Sequence, residues 1–142
     1  MIYTKTGEYA IRAVLFLARQ PKEKLIMSSE IAKSEDIPAH YLAKILQQMA
    51  KFGYVESFKG RGGGFRISDF ALNSSILDIV ERIEGPVINL KCVTGLKECS
   101  DEAPCPMHEE WADLRDRIHN LISGKTVKQV ATEYTATLKK KI

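Results

Sequence analysis

The chain has 142 residues, with 21 Lys and Arg against 18 Asp and Glu, 44% hydrophobic and 27% charged content, a balance that excludes disordered, collagen-like and mucin-like classes. Its three cysteines cannot close a disulfide set among themselves, and the longest apolar run, Ala13 to Ala18, is far short of a membrane span. No signal-peptide pattern follows Met1-Ile2-Tyr3-Thr4-Lys5, so a cytoplasmic protein is expected, with thiols reduced and open to metal or redox chemistry.

The first predicted helix covers residues 5–19, where Ala10, Ala13, Val14, Leu17 and Ala18 recur at helical spacing. Pro21 ends it. A short second helix fits Ser28–Ser34, with Ser28 as N-cap and Glu30 in the first turn. A tight break follows at Glu35-Asp36-Ile37-Pro38, and Pro38 suits the first position of a third helix, where its missing N–H is harmless. That helix runs to about Phe52 and stops at Gly53. Leu42, Ile45, Leu46, Met49 and Phe52 share one face, and His40, Lys44, Gln47 and Lys51 form a stripe opposite without a carboxylate. Helix, short helix, tight turn and helix make the helix-turn-helix pattern, whose last helix enters a major groove.

Tyr54–Phe58 and Phe65–Ile67 flank the turn Lys59-Gly60-Arg61-Gly62-Gly63-Gly64, a β-hairpin wing whose glycines allow close backbone approach to a phosphate. A nucleotide-binding loop is excluded, because Phe65 breaks the dinucleotide spacing and no Gly-Lys-Ser/Thr follows. A fourth helix starts at Ser75, with Asp78 completing a capping box and Ile76, Ile79, Val80 and Ile83 as its buried stripe; Gly85 and Pro86 end it. Pro106 opens a fifth helix with apolar residues Met107, Trp111, Leu114, Ile118 and Leu121. That narrow seam with charged flanks predicts a homodimer contact over simple core packing. Gly124 ends this helix, Thr126 caps a last one through Tyr134, and Lys139-Lys140-Lys141 reads as a frayed tail. The expected class is thus mainly α with a small β-hairpin. Its divisions are a winged helix-turn-helix domain at 1–85, a cysteine loop at 86–105, and a dimerisation helix with a C-terminal helix at 106–142.

Charge follows this division. Residues 38–66 hold five basic side chains (Lys44, Lys51, Lys59, Arg61, Arg66) and one acidic, Glu56, whereas 78–116 hold ten acidic and four basic. A basic stretch followed by an acidic one fits a polyanion-binding module joined to something else, with ordinary charge scatter as the equal rival reading. The acidic half carries Cys92-x6-Cys99-x5-Cys105-x2-His108. Three cysteines in a polar loop, expected to be exposed, argue for metal or redox chemistry rather than packing. Zinc fits the ligand types but lacks its usual close cysteine knuckles. An iron–sulfur cluster tolerates wider spacing, and a cysteine thiol switch needs no metal. No nucleophile–base–acid set suggests an enzyme. A small electron-transfer protein, with the glycine hairpin only a turn, is the rival from another class; steep loss of duplex affinity with salt would separate the two.

Thr4-Lys5-x-Gly7-Glu8-Tyr9-Ala10, the turn Ile37–Leu42, the wing 59–64 and three cysteines before a long helix resemble the Rrf2 family of winged-helix transcription regulators along almost the whole chain. The resemblance implies a homodimeric DNA-binding regulator, a repressor, on a palindromic double-stranded operator, with no membrane role. It implies a two-iron or four-iron iron–sulfur cluster held by Cys92, Cys99 and Cys105, and sensing of redox state, nitric oxide or iron–sulfur status. His108 matches the histidine ligand of the iron–sulfur-biogenesis members. Glu8 matches an acidic position that, in nitric-oxide-sensing members, ligates from the other subunit. The six-residue gap after Cys92 is one longer than in the former type. DNA contacts carry over to His40, Tyr41 and Lys44 on the recognition helix and to the wing, Lys59 with its neighbour Arg61. Pro38 replaces the usual small residue at the start of the recognition helix.

Overall fold

The computed structural model describes residues 3–86, 92–97 and 100–141, with side chains described as far as Thr135. The first helix, α1 (Lys5–Ala18), is capped by the Thr4 hydroxyl, which accepts the Gly7 N–H at 3.4 Å. Its stripe of Ala10, Ala13, Val14 and Leu17 is buried in the centre of the fold, as the spacing predicts. After α2 (Ser28–Glu35), Asp36 adopts a left-handed φ of 52° and the Ile37 N–H returns to the Ala32 carbonyl at 2.9 Å. That Schellman-type bond buries Ile37 and turns the chain sharply into α3 (Ala39–Lys51). Two details differ from the sequence reading. Met27, with no side-chain cap bond, stands where Ser28 was expected, and Pro38 immediately precedes α3 instead of opening it. Each is a shift of one residue, within the fraying of helix ends.

The wing consists of β1 (Val55–Phe58) and β2 (Gly64–Ile67), antiparallel, pairing Val55 with Ile67 and Phe58 with Gly64. Ile26, ahead of α2, adds a bridge to Phe65 through reciprocal bonds of 2.9 and 2.8 Å, tying the wing to the helix-turn-helix. The approach is close because Gly64, at φ 153°, has no side chain; a Cβ there would lie 2.8 Å from the Ile26 carbonyl oxygen.

One element is absent from the sequence reading. The single turn α4 (Asp69–Leu72) is nucleated by Ser68, whose hydroxyl accepts the Ala71 N–H at 3.0 Å and donates to the Gly53 carbonyl at 2.6 Å. Four residues are too few to show a period. The predicted capping box of α5 (Ile76–Glu84) is present, with both Ser75–Asp78 bonds at 3.0 Å. The next helix, α6 (His108–Ser123), begins two residues after Pro106 and packs on α5. The last, α7 (Val127–Lys141), is anchored by the Val127 N–H on the Ser74 carbonyl at 2.8 Å and lies against α1. It continues past Tyr134, where the sequence reading ended it; the side chains of Lys139–Lys141 lie outside the described residues.

Since backbone lines the space beside Gly64, nothing there gives way. Gly64→Ala should therefore destabilise the protein by about 1–3 kcal/mol, read as a lower urea midpoint at unchanged slope.

Candidate nucleic-acid interface and cysteine loop

The amphipathic pattern of α3 divides its side chains between core and surface. Leu42, Ile45, Leu46 and Met49 are buried, so the remaining positions face out. His40, Tyr41, Lys44, Gln47, Gln48 and Lys51 are exposed, and the His40 and Tyr41 rings lie 4.4 Å apart. Tyr41, Lys44, Gln47, Gln48 and Lys51 line a groove of about 590 Å³ that is closed on one side by Thr6 of α1. The first turn of α1 therefore borders the exposed face of α3, a juxtaposition for which the sequence holds no signal.

The wing tip is shaped by Gly60 and Gly62, both at positive φ, and closed by the Gly63 N–H on the Gly60 carbonyl at 3.0 Å. Lys59 and Arg61 are exposed there. Lys44, Lys51, Lys59 and Arg61 form no ion pair among the described residues. Arg66 differs. It pairs with Glu56 at 2.9 Å and Glu23 at 3.1 Å, and stacks over Phe58 at 4.8 Å. Of five basic residues counted in this stretch, one is spent on structure. Its neutraliser Glu23 is remote in sequence, so only folding reveals the pairing.

The cysteine loop departs from expectation in one respect: its described donors are buried, not exposed. Cys92, Cys105 and His108 are 5%, 7% and 7% accessible. Cys92 Sγ lies 3.0 Å from the Thr94 hydroxyl. The Cys92 thiol is lowered to about 7, first by that hydroxyl and then by the Thr94 backbone, the neighbouring Cys105 thiol and the Leu96 backbone, with burial opposing. His108 opens α6, its N–H bonded to the Cys105 carbonyl at 3.0 Å, and its Nε2 lies 2.7 Å from Asp101 Oδ1. Thr94 and Asp101 had no marker in the sequence. Cys99 lies outside the described residues, and among those described no three His, Cys, Asp or Glu side chains converge as a metal-binding set. Glu8 is half-buried on α1 and paired with Lys5 at 3.3 Å.

Two further arrangements bear on function. Glu84, the last residue of α5, receives the Gly7 N–H at 2.7 Å and the Thr4 N–H at 3.1 Å, and bonds the Thr4 hydroxyl. The start of the cysteine loop is thereby fastened to the first turn of α1. Met107 just ahead of α6 and Leu114 and Leu121 on it are 50%, 51% and 70% exposed, with Trp111 and Ile118 half-buried beside them.

The model of the Rrf2 family, described as an iron-dependent transcriptional regulator, matches residues 3–133. This chain belongs to the Rrf2 family. It is 33% identical over 132 residues to a protein of Aquifex aeolicus (strain VF5) provisionally described as an HTH-type transcriptional regulator, covering 92% of this chain and 91% of that one. It is 28% identical over 133 residues to the HTH-type transcriptional regulator IscR of Vibrio parahaemolyticus, covering 94% and 79%. Among solved structures, CymR, the global cysteine regulator of B. subtilis, superposes with a TM-score of 0.75 at 22% identity, covering 92% and 95%. T. potens IscR superposes at 0.71 with 20% identity, covering 92% and 86%. The mainly helical winged-helix fold predicted from the sequence is thus the observed one. As an Rrf2 protein the chain is a DNA-binding transcription regulator, and its relatives are regulators rather than enzymes or electron carriers. Among the described residues no helix is long and apolar enough to cross a membrane.

Arg66→Ala should lower stability by up to about 1 kcal/mol, the range for partly exposed ion pairs, measured by thermal unfolding at low salt, and the loss should shrink as salt is raised.

Proposed function

We propose that this protein is a homodimeric repressor, cytoplasmic, whose affinity for a palindromic operator is set by an iron–sulfur cluster in the loop at 86–105. Residues 1–85 act as the DNA-reading domain and 106–142 as the dimer and C-terminal helices. The observation that carries the reading is the buried placement of Cys92 and Cys105 side by side, with His108 in the first turn beyond them. The residue types support a cluster, since thiolates are its usual ligands. Cys92, Cys99 and Cys105 would hold it, with His108, or Glu8 from the other subunit, as the fourth ligand. When bound, such a group supplies a one-electron redox centre that also responds to nitric oxide and to iron–sulfur status.

The chain's own residues do the rest. His40, Tyr41 and Lys44 face bases and phosphates in the major groove, and Lys59 and Arg61 hold phosphates beside it. The seam Met107, Leu114 and Leu121 pairs with its copy, which sets two recognition helices about one helical turn of DNA apart. A change in the loop reaches the DNA face through Glu84, whose carboxylate holds the α1 turn that borders the α3 groove.

A second reading replaces the cluster by a cysteine thiol switch or by zinc. It is favoured by the Cys92 thiol near 7 beside a second buried thiol. Anaerobic purification separates the readings. The cluster predicts visible absorbance with iron and acid-labile sulfide, lost in Cys99→Ala. Colourless protein without iron overturns it and leaves zinc or bare thiols.

For the DNA contacts, a duplex is first selected from a random pool. Lys44→Ala and Lys59→Ala should then each weaken binding and reduce the slope of log affinity against log salt by about one.

A further inference from the structure

The groove between α1 and α3 differs from the rest of the surface in how its polar groups are engaged. Arg12, Arg19, Lys22, Arg66, Arg117 and Lys125 each lie within 3.5 Å of a carboxylate. The side chains of Thr6, Lys44, Gln47, Gln48 and Lys51, which border the groove, are exposed and make no hydrogen bond or ion pair among the described residues. No carboxylate lines the groove, and Ile45 in its wall is only 3% exposed. The carboxylates near the α1 turn are engaged elsewhere. Glu8 pairs with Lys5 at 3.3 Å, and Glu84 receives the N–H groups of Gly7 at 2.7 Å and Thr4 at 3.1 Å. The groove of about 590 Å³ thus offers hydrogen-bond donors and two cations, with no acidic group to receive them.

We propose that this groove seats a phosphate of the DNA backbone, with the Thr6 hydroxyl and the Lys51 ammonium as its principal donors. The inference rests on the reading of α3 as the helix that enters the major groove. A major groove is about 12 Å wide and admits one helix. Because α1 packs against α3, at the spacing of about 8–10 Å usual for packed helices, it cannot follow α3 inside. Its first turn is left over the rim, where the sugar–phosphate backbone runs. A phosphate oxygen only accepts hydrogen bonds, and hydroxyl, amide and ammonium groups supply donors. Contacts of this kind fix register and orientation without reading sequence. Thr6 and Lys51 therefore hold the strand whatever its bases, unlike residues of α3 that reach base edges.

The test uses the full-length protein, a duplex selected from a random pool, and an unrelated duplex of equal length. Lys51→Ala should weaken binding to both by the same factor and reduce the slope of log affinity against log salt by about one per bound subunit. Thr6→Val should weaken both by about tenfold per bound subunit, the size of a hydrogen bond to a charged group, with the slope unchanged. Thr6→Ser keeps the hydroxyl and should bind as wild type does. Single phosphates of the selected duplex are then replaced by neutral methylphosphonates. At one position per half-site the wild type should lose affinity and Lys51→Ala should lose none further. Lys128→Ala, in the groove beside Ala18 at the other end of α1, should change neither affinity nor slope. Unchanged binding in Lys51→Ala and Thr6→Val, an equal loss in Lys128→Ala, or losses confined to the selected duplex overturn this inference alone. A wild-type protein that binds neither duplex, or binds without salt dependence, overturns it together with the reading beneath it.

Discussion

The burial of one face of α1 is the constraint on which the rest of the molecule depends. Ala10, Ala13 and Val14 are fully buried and Leu17 nearly so, and this helix contacts α2, α3, α5, α7 and the wing strand β2. Two alanines in the stripe matter as much as the larger residues. With only a methyl group at those positions, α3 and α5 come close enough for Leu46, Met49, Ile79 and Val80 to be buried around the same axis. Each buried Val, Leu or Ile contributes about 1.5–3 kcal/mol by leaving water. The recognition helix, the wing and the helix leading to the cysteine loop thus share one support, and a disturbance of α1 reaches all three.

Around that apolar axis, charge divides into a structural part and a free part. Glu35 receives Arg12 at 3.5 Å and Arg19 at 3.2 Å, holding α2 against α1, and Arg19 also lies 4.3 Å from the Tyr134 ring centre on α7. Lys22 bonds Asp69 at 2.7 Å, and each is biased toward its charged form by the other. Exposed pairs of this kind add little stability but fix relative placement. The cations left over stand on α3 and the wing tip, where a polyanion would meet them without first displacing an internal carboxylate. The net charge of +3 understates this, because balance within the chain says nothing of where unpaired charge is left.

Legibility in the sequence followed the range of the interactions. Long amphipathic helices, the Ser75–Asp78 box and the glycine turn are encoded within a few residues, and the structure places them within a residue or two of expectation, except for the C-terminal end of α7, which runs on to Lys141. The seven-residue periodicity of α6 likewise identified a helix whose Leu114 and Leu121 remain exposed. Contacts between distant segments were not legible: Glu23 with Arg66, Thr6 beside the α3 groove, and Glu84 on the α1 turn. The cysteine loop shows the limit most clearly. Its polar composition suggested exposure, yet α6 begins directly after it and the chain folds Cys92, Cys105 and His108 inward, leaving Val93 and Leu96 outside. Residue type suggested a chemistry for the loop, and topology decided which of its side chains face water.

The bond between Glu84 and the first turn of α1 ties two distant positions into one structural unit. A Cβ on Gly7 would meet the Glu84 carboxylate, which would have to shift from its place on the Gly7 and Thr4 N–H groups. The carboxylate, in turn, would lose a backbone donor if the chain at residue 7 were pushed away. A single substitution at either position therefore loosens the contact, whereas a paired change can rebuild it. Among relatives residue 7 in the first turn of α1 and the residue closing α5 should drift together, so that the spot where the cysteine loop departs and the edge of the α3 face diverge as a single trait.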